Sequence, residues 1–244
     1  MNYFIVFAGK GGTGKSTLAA LTVRYLSENK AHSVLVVDAD PNFCLPELLG
    51  VRVNETLASI RDLAMQNKPG GISLDEWLEI QINRIMAESQ GFDLLVMGRP
   101  EGSGCYCAVN NILRRILQEI SEQYRYIVVD NEAGMEHISR GIVNKIDFLF
   151  IVSSPSKTSI QAATRINNLV NELGIMPENK ALIINQAFNE VEEDELIKQF
   201  GKIRYVFFDE NLRKLSERGE SIFSLSHTSE ILKNFYAILE DAIG

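Results

Sequence analysis

No apolar run in the sequence approaches the roughly 18 residues that a membrane-crossing helix needs, so no membrane role is expected. Cysteine is scarce, three in 244 residues, an odd number that makes no disulfide framework. The opening residues Met1-Asn2-Tyr3-Phe4-Ile5-Val6-Phe7 carry no basic charge ahead of the apolar stretch, as a secretory leader would. They run directly into glycines and read as a first strand. These absences together predict a reducing, cytoplasmic setting. Basic residues are also short, 24 Lys and Arg against 32 Asp and Glu, for a formal net charge of −8. That argues against a nucleic-acid binder working through a broad basic face. Internal repeats and low-complexity linkers are missing as well.

What is present is a steady alternation. Hydrophobic residues make up 45% of the chain, enough for a full core. Short apolar runs at Tyr3–Ala8, Ser33–Val37, Phe92–Met97, Tyr126–Val129, Phe148–Val152 and Ala181–Ile184 are separated by stretches of helical period, and Ile203–Phe208 reads as a late edge strand. Near-continuous apolar runs of this length fit strands covered on both faces. The pattern predicts an α/β fold, a mostly parallel twisted sheet of about seven or eight strands flanked by helices. It also predicts one domain over 1–244, with a helical excursion from the sheet at about 54–90. In such a sheet ligands bind at the carboxyl ends of the strands. The acidic run Glu190–Glu195 reads as a solvated helix start, and the amphipathic segment Ser229–Ile243 as a terminal helix packed on the core.

The most specific signal is Gly9-Lys10-Gly11-Gly12-Thr13-Gly14-Lys15-Ser16, which fits G-x-x-x-x-G-K-[ST] between a strand and a helix. Glycines there let backbone N–H groups of Gly11, Gly12, Thr13 and Gly14 converge on phosphate oxygens, and the helix N-terminus adds a favourable dipole. Lys15 is expected to reach the β- and γ-phosphates, Ser16 to take a Mg²⁺ position, and Thr17 to bond the α-phosphate. A second lysine, Lys10, stands inside the loop. The resulting Gly-Lys-Gly-Gly-Thr-Gly-Lys-Ser-Thr resembles the deviant phosphate loop (deviant Walker A) of the MinD/ParA/nitrogenase-iron-protein class of ATPases. The resemblance implies ATP hydrolysis to ADP by a homodimer in which Lys10 reaches the partner's nucleotide.

Two strands end in aspartate, Val34–Val37 before Asp38-Ala39-Asp40-Pro41-Asn42 and Ile127–Val129 before Asp130-Asn131-Glu132-Ala133-Gly134. Carboxylates at these ends sit where a phosphate-bound Mg²⁺ would lie. They look like the two switch regions of the same class. By that resemblance Asp40 orients the attacking water, Asp38 and Asp130 support Mg²⁺ through bound waters, and Gly134 lies where the γ-phosphate is sensed. Asn185, after Ile183-Ile184, stands where related ATPases pair an Asn amide with adenine.

The segment Gly98-Arg99-Pro100-Glu101-Gly102-Ser103-Gly104-Cys105-Tyr106-Cys107 leads into a helical pattern over Asn110–Glu122. A helix start favours thiolate. One Cys105/Cys107 pair supplies two soft ligands and cannot complete a four-thiolate site; two chains related by a twofold can. In an unspecified fold such cysteines would as readily be buried and inert. Together with the loop, Asp38–Asn42 and Asp130-Asn131-Glu132-Ala133-Gly134-Met135-Glu136-His137, this segment is similar to the CooC-type carbon monoxide dehydrogenase maturation ATPases, from Met1 to about Asn185. That family implies a nickel-binding metallochaperone for the nickel–iron–sulfur cluster of carbon monoxide dehydrogenase or acetyl-CoA synthase. Four thiolates accept Ni²⁺ or Zn²⁺ alike, and nickel rests on the resemblance. Cys44 is not carried over as a ligand, and His137 reads as a packed or surface residue. An ATP-driven iron–sulfur carrier or electron donor, and a MinD/ParA-like spatial regulator, are the alternative readings.

Overall fold

The computed structural model describes residues 2–30, 33–67, 70–71, 73–99, 106–131, 145–192 and 194–243, with the backbone alone at 64–67, 74–75, 78–79, 82–83 and 106–108. Eight strands form one sheet in the order β3-β4-β2-β5-β1-β6-β7-β8. They are β1 Tyr3–Gly9, β2 Val34–Ala39, β3 Met86–Ser89, β4 Phe92–Val96, β5 Tyr126–Asn131, β6 Phe148–Ser153, β7 Asn179–Ala187 and β8 Ile203–Phe207. All neighbours pair in parallel except β3, which runs antiparallel to β4 at one edge. The strands expected from apolar runs are therefore present, and β3 is an addition. Its four residues contain no β-branched or aromatic side chain, so pairing with β4 and not local propensity makes it a strand.

Side chains alternate between two buried faces. On one, Val6, Val37, Leu95 and Val129 pack under α3 Leu57–Asn67, α5 Tyr106–Ile120 and α6 Lys157–Glu172. On the other, Phe7, Val36, Val128 and Phe150 pack under α1 Lys15–Asn29 and the terminal helix α9 Glu230–Ile243. Helix α4, Leu74–Ile85, precedes β3, so the 54–90 segment holds two helices and then returns to the sheet.

Helix α5 shows why these segments are helices. Val109, Ile112, Leu113, Ile116, Leu117 and Ile120 recur at three- and four-residue steps and are all buried. Each such side chain contributes about 1.5–3 kcal/mol on burial. The helix begins at Tyr106, so Cys107 stands in its first turn. Helix α9 buries Ile231, Leu232, Phe235, Ile238 and Leu239, the core-packing arrangement expected of it. The acidic run leads into the short helix α7, Glu195–Lys198, where Asp194 caps the Leu196 and Ile197 N–H groups. Among the described residues no helix is long and apolar enough to cross a membrane.

Parallel pairing has one consequence that matters for function. The carboxyl ends of β1, β2, β5, β6 and β7 reach the same edge of the sheet. In register, Phe7 of β1 and Asp38 of β2 both lie opposite Asp130 of β5.

Candidate functional site

The loop after β1 folds back on its own backbone. The Lys10 carbonyl accepts from the Thr13 hydroxyl at 2.8 Å and the Lys15 ammonium at 3.4 Å. Lys15 is buried in this cradle, whereas the Lys10 side chain is exposed. Gly14 caps α1 at φ 87°, a left-handed conformation that glycine adopts without strain. A Cβ there would also sit 2.3 Å from the Asn185 amide nitrogen. That nitrogen donates to the Thr13 carbonyl at 2.8 Å, so the end of β7 braces the loop.

Beside the loop lies a cavity of about 390 Å³, lined by Gly11, Gly12, Lys15, Ser16, Thr17 and Asp40 among others. Its far wall includes Ser216, Gly219 and Glu220. Sequence reasoning assigned nothing to these residues, which carry no motif. A second slot, about 240 Å³, opens over Gly14 and Thr17 and is lined by Asn185, Gln186, Phe207 and Phe208. Phosphates in the first cavity would leave the remainder of a nucleotide facing the second.

The two strand-end aspartates are brought together and differ in their bonding. Asp38 is fully buried, and its two oxygens accept from the Asp40 N–H at 3.1 Å and the Leu45 N–H at 3.0 Å. Burial, and then the charge of Asp130, push its carboxyl well above the usual range. Asp130 is also fully buried, yet among the described residues neither oxygen has a hydrogen-bond partner in good geometry. Burial raises it to about 6, against the lowering pull of the Ser16 hydroxyl and the Lys15 ammonium. An orphaned carboxylate beside a serine hydroxyl fits Mg²⁺, which binds oxygen donors and water. Asp40 holds a tight turn by accepting from the Asn42 N–H at 2.8 Å and the Asn42 amide at 3.0 Å. Cys44, exposed at the cavity wall, has its thiol pushed up by burial and by Asp38, Asp40 and Asp130, which disfavours thiolate.

Two residues escaped the sequence reading. Asn131 is fully buried on the opposite face from Asp130, with neither amide atom partnered among the described residues. Gln186 lines the slot beside Asn185. Its only sequence signal was its position after an Asn already singled out. Cys105, Gly134 and His137 lie outside the described residues, as does the Cys107 side chain. Among the described residues no cluster of three or more His, Cys, Asp or Glu is arranged to hold a metal.

Comparison with known proteins follows the same lines. Residues 4–222 match the CobQ/CobB/MinD/ParA nucleotide binding domain. The chain is 37% identical to an uncharacterized ATP-binding protein of Methanocaldococcus jannaschii, covering 98% of each chain. It is 29% identical to the carbon monoxide dehydrogenase accessory protein CooC of Rhodospirillum rubrum, over 91% of this chain and 90% of that one. A ParA family ATPase of Chlorobium tepidum superposes with a TM-score of 0.73 at 23% identity, covering 97% of this chain and 96% of its own. The likeness in fold extends to the cell division ATPase MinD of Pyrococcus furiosus, with a TM-score of 0.72 at 16% identity over 99% of this chain and 98% of that one. The chain belongs to the CobQ/CobB/MinD/ParA family of nucleotide-binding domains and is a phosphate-loop ATPase of that family.

Proposed function

We propose that this ATPase is a metal-binding accessory protein that delivers nickel to the nickel–iron–sulfur cluster of carbon monoxide dehydrogenase or acetyl-CoA synthase. The observation that carries the reading is the similarity to a CooC accessory protein across nine-tenths of both chains, in a sequence that contains the Cys105-Tyr106-Cys107 pair. ATP binding closes a homodimer, and Cys105 and Cys107 from each chain hold one metal ion between them.

Each polar group has a part in that cycle. The loop N–H groups of Gly11, Gly12, Thr13 and Gly14 and the Lys15 ammonium hold the phosphates. Thr17 bonds the α-phosphate. Lys10, whose carbonyl ties the loop together while its side chain is exposed, is the residue offered to the partner's nucleotide. Ser16 and Asp130 flank the Mg²⁺ position, and Asp38 supports it while tying down the loop that carries Asp40. Bound Mg²⁺ neutralises charge that builds on the phosphates. Asp40 orients the attacking water, Gly134 senses the γ-phosphate, and Asn185 offers its remaining amide oxygen to adenine. The partners are a second copy of this chain and the client enzyme; nucleic acid and membrane are not among them.

The test is metal content per chain after anaerobic loading with Ni²⁺ and Mg-ATP, beside Cys105→Ser. The reading predicts about one nickel per two chains, lost in the variant while ATP binding stays. Nickel binding that ignores Cys105 would remove the carrier role and leave the ATPase. Labile sulfide in the protein as purified would move it to the iron–sulfur carriers.

A further inference from the structure

The end of β7 departs from regular strand geometry. The ladder to β8 slips between Asn185 and Ala187, and the residue between them, Gln186, has φ 58°. Left-handed backbone at a non-glycine residue is uncommon and is disfavoured energetically. Its effect is on side-chain direction. In a regular strand successive side chains point to opposite faces. Here Ile184 and Ala187 both pack on the α5 face, and Asn185 and Gln186 both line the slot on the α1 face. A bulge re-aims side chains in this way beside functional sites.

Both amides lie over the phosphate loop. A Cβ at Gly14 would be 2.3 Å from the Asn185 amide nitrogen and 3.9 Å from that of Gln186. They are not equivalent. Donation to the Thr13 carbonyl fixes which way the Asn185 amide faces, leaving its oxygen as an acceptor. Three other polar side chains of the slot are committed: Asp209 caps helix α8, Glu210–Glu217, by accepting from the Leu212 N–H at 2.8 Å, and Arg213 is paired with Glu217 as well as with Glu210. Gln186 makes no side-chain hydrogen bond among the described residues. Phe207, Phe208, Leu212 and Ile231 give the slot its apolar surface, and Thr17 and Ser216 also line it.

We propose that Gln186 is a base-reading residue, donating its amide N–H to N1 of adenine while the fixed Asn185 oxygen accepts from the 6-amino group. The inference rests on ATP occupying this site. Adenine offers an amino donor next to a ring acceptor, the complement of this acceptor–donor pair. Guanine offers the reverse, a 6-oxo acceptor against the Asn185 oxygen and an N1–H against the Gln186 donor. Either amide alone could turn to suit both bases; the Thr13 brace removes that freedom from Asn185. The fixed Asn185 oxygen makes the choice of adenine, and Gln186, brought beside it by the bulge, adds the hydrogen bond to N1.

The test compares binding of ATP, GTP and 1-deaza-ATP, which has C–H in place of N1, by the unmodified chain and by Gln186→Gly. Glycine accepts the left-handed backbone, so the variant removes the side chain without straining the bulge. Unmodified chain should bind ATP about tenfold more tightly than 1-deaza-ATP, the size of one lost hydrogen bond. Gln186→Gly should bind the two equally while keeping its preference for ATP over GTP, which the fixed Asn185 oxygen supplies. Inorganic triphosphate, bound equally by both chains, serves as the folding control. A 1-deaza penalty of equal size in both chains would overturn the assignment and leave the site's ATP reading intact. No ATP binding by the unmodified chain would overturn both.

Discussion

The carboxyl ends of β2 and β5 lie side by side and are built to opposite plans. At the end of β2, Asp38 is buried but complete, each oxygen holding a backbone N–H of the segment that follows. At the end of β5, Asp130 and Asn131 are as deeply buried, on two opposite faces of one strand, and their side chains have no hydrogen-bond partner among the described residues. The first end already holds its loop in place in the unliganded chain. The second carries unmet hydrogen-bonding capacity that a purely structural element would not retain. A binding site stands out from its scaffold by where polar groups are left unsatisfied.

Substitutions at these two ends should separate the plans, the largest effect coming from Asp130→Asn. ATP hydrolysis should fall by on the order of a hundredfold, the scale of losing one preorganised charge at a reacting phosphate. The same change should stabilise the unliganded chain. A carboxyl raised to about 6 when folded binds its proton more tightly folded than unfolded, so ionisation destabilises the native state. The penalty is absent below about pH 4, grows as pH rises toward 6 and is constant above it. Asp130→Asn should therefore gain about 2–3 kcal/mol at pH 8 and nothing at pH 3.5, read from urea unfolding at both. Equal gains at the two pH values would contradict the buried-charge account.

Asp38→Asn sharpens the contrast. It relieves a buried charge too, but sets an amide N–H against one of the two backbone N–H groups. One buried donor left without an acceptor costs about 1–3 kcal/mol, so this variant should fall below Asp130→Asn by that amount in the same unfolding series. Asn131→Leu should stabilise the unliganded chain by about 1 kcal/mol or more, because it removes a buried amide without a partner among the described residues. A loss of stability would mean that the amide has a partner in solution. Smallest is Asn185→Ala, which frees the Thr13 carbonyl from its brace. A thermal shift equivalent to about 1 kcal/mol, with weaker ATP binding, is expected.

How much of this could be read beforehand follows from the physics of each feature. The phosphate loop, Asp38, Asp40 and Asp130 were legible because residue type, spacing and strand context coincide at each. The sheet was legible because both its faces are buried and its strands read as continuous apolar runs. Strand β3 was not, since Met86-Ala87-Glu88-Ser89 becomes a strand only by pairing with β4. Nor was Gln186, whose orientation depends on a one-residue slip against a strand nearly twenty residues further along. Asn131 reads in sequence as any residue after a strand; its meaning lies in what fails to reach it. Ser216, Gly219 and Glu220 close the phosphate cavity from the far end of the chain, a proximity that only the folded topology creates.

If ATP closes the dimer that holds the metal, linkage makes each ligand change the other's affinity by the same factor. Nickel affinity of the unmodified chain should be determined in Mg-ATP and in Mg-ADP, with Cys105→Ser alongside. A coupling of about 1–3 kcal/mol, a fivefold or larger difference between the two nucleotides that vanishes with the thiol, is the predicted result. Nickel affinity that is identical in ATP and ADP, with the cysteines intact, would contradict the claim that this ATPase works by moving a metal.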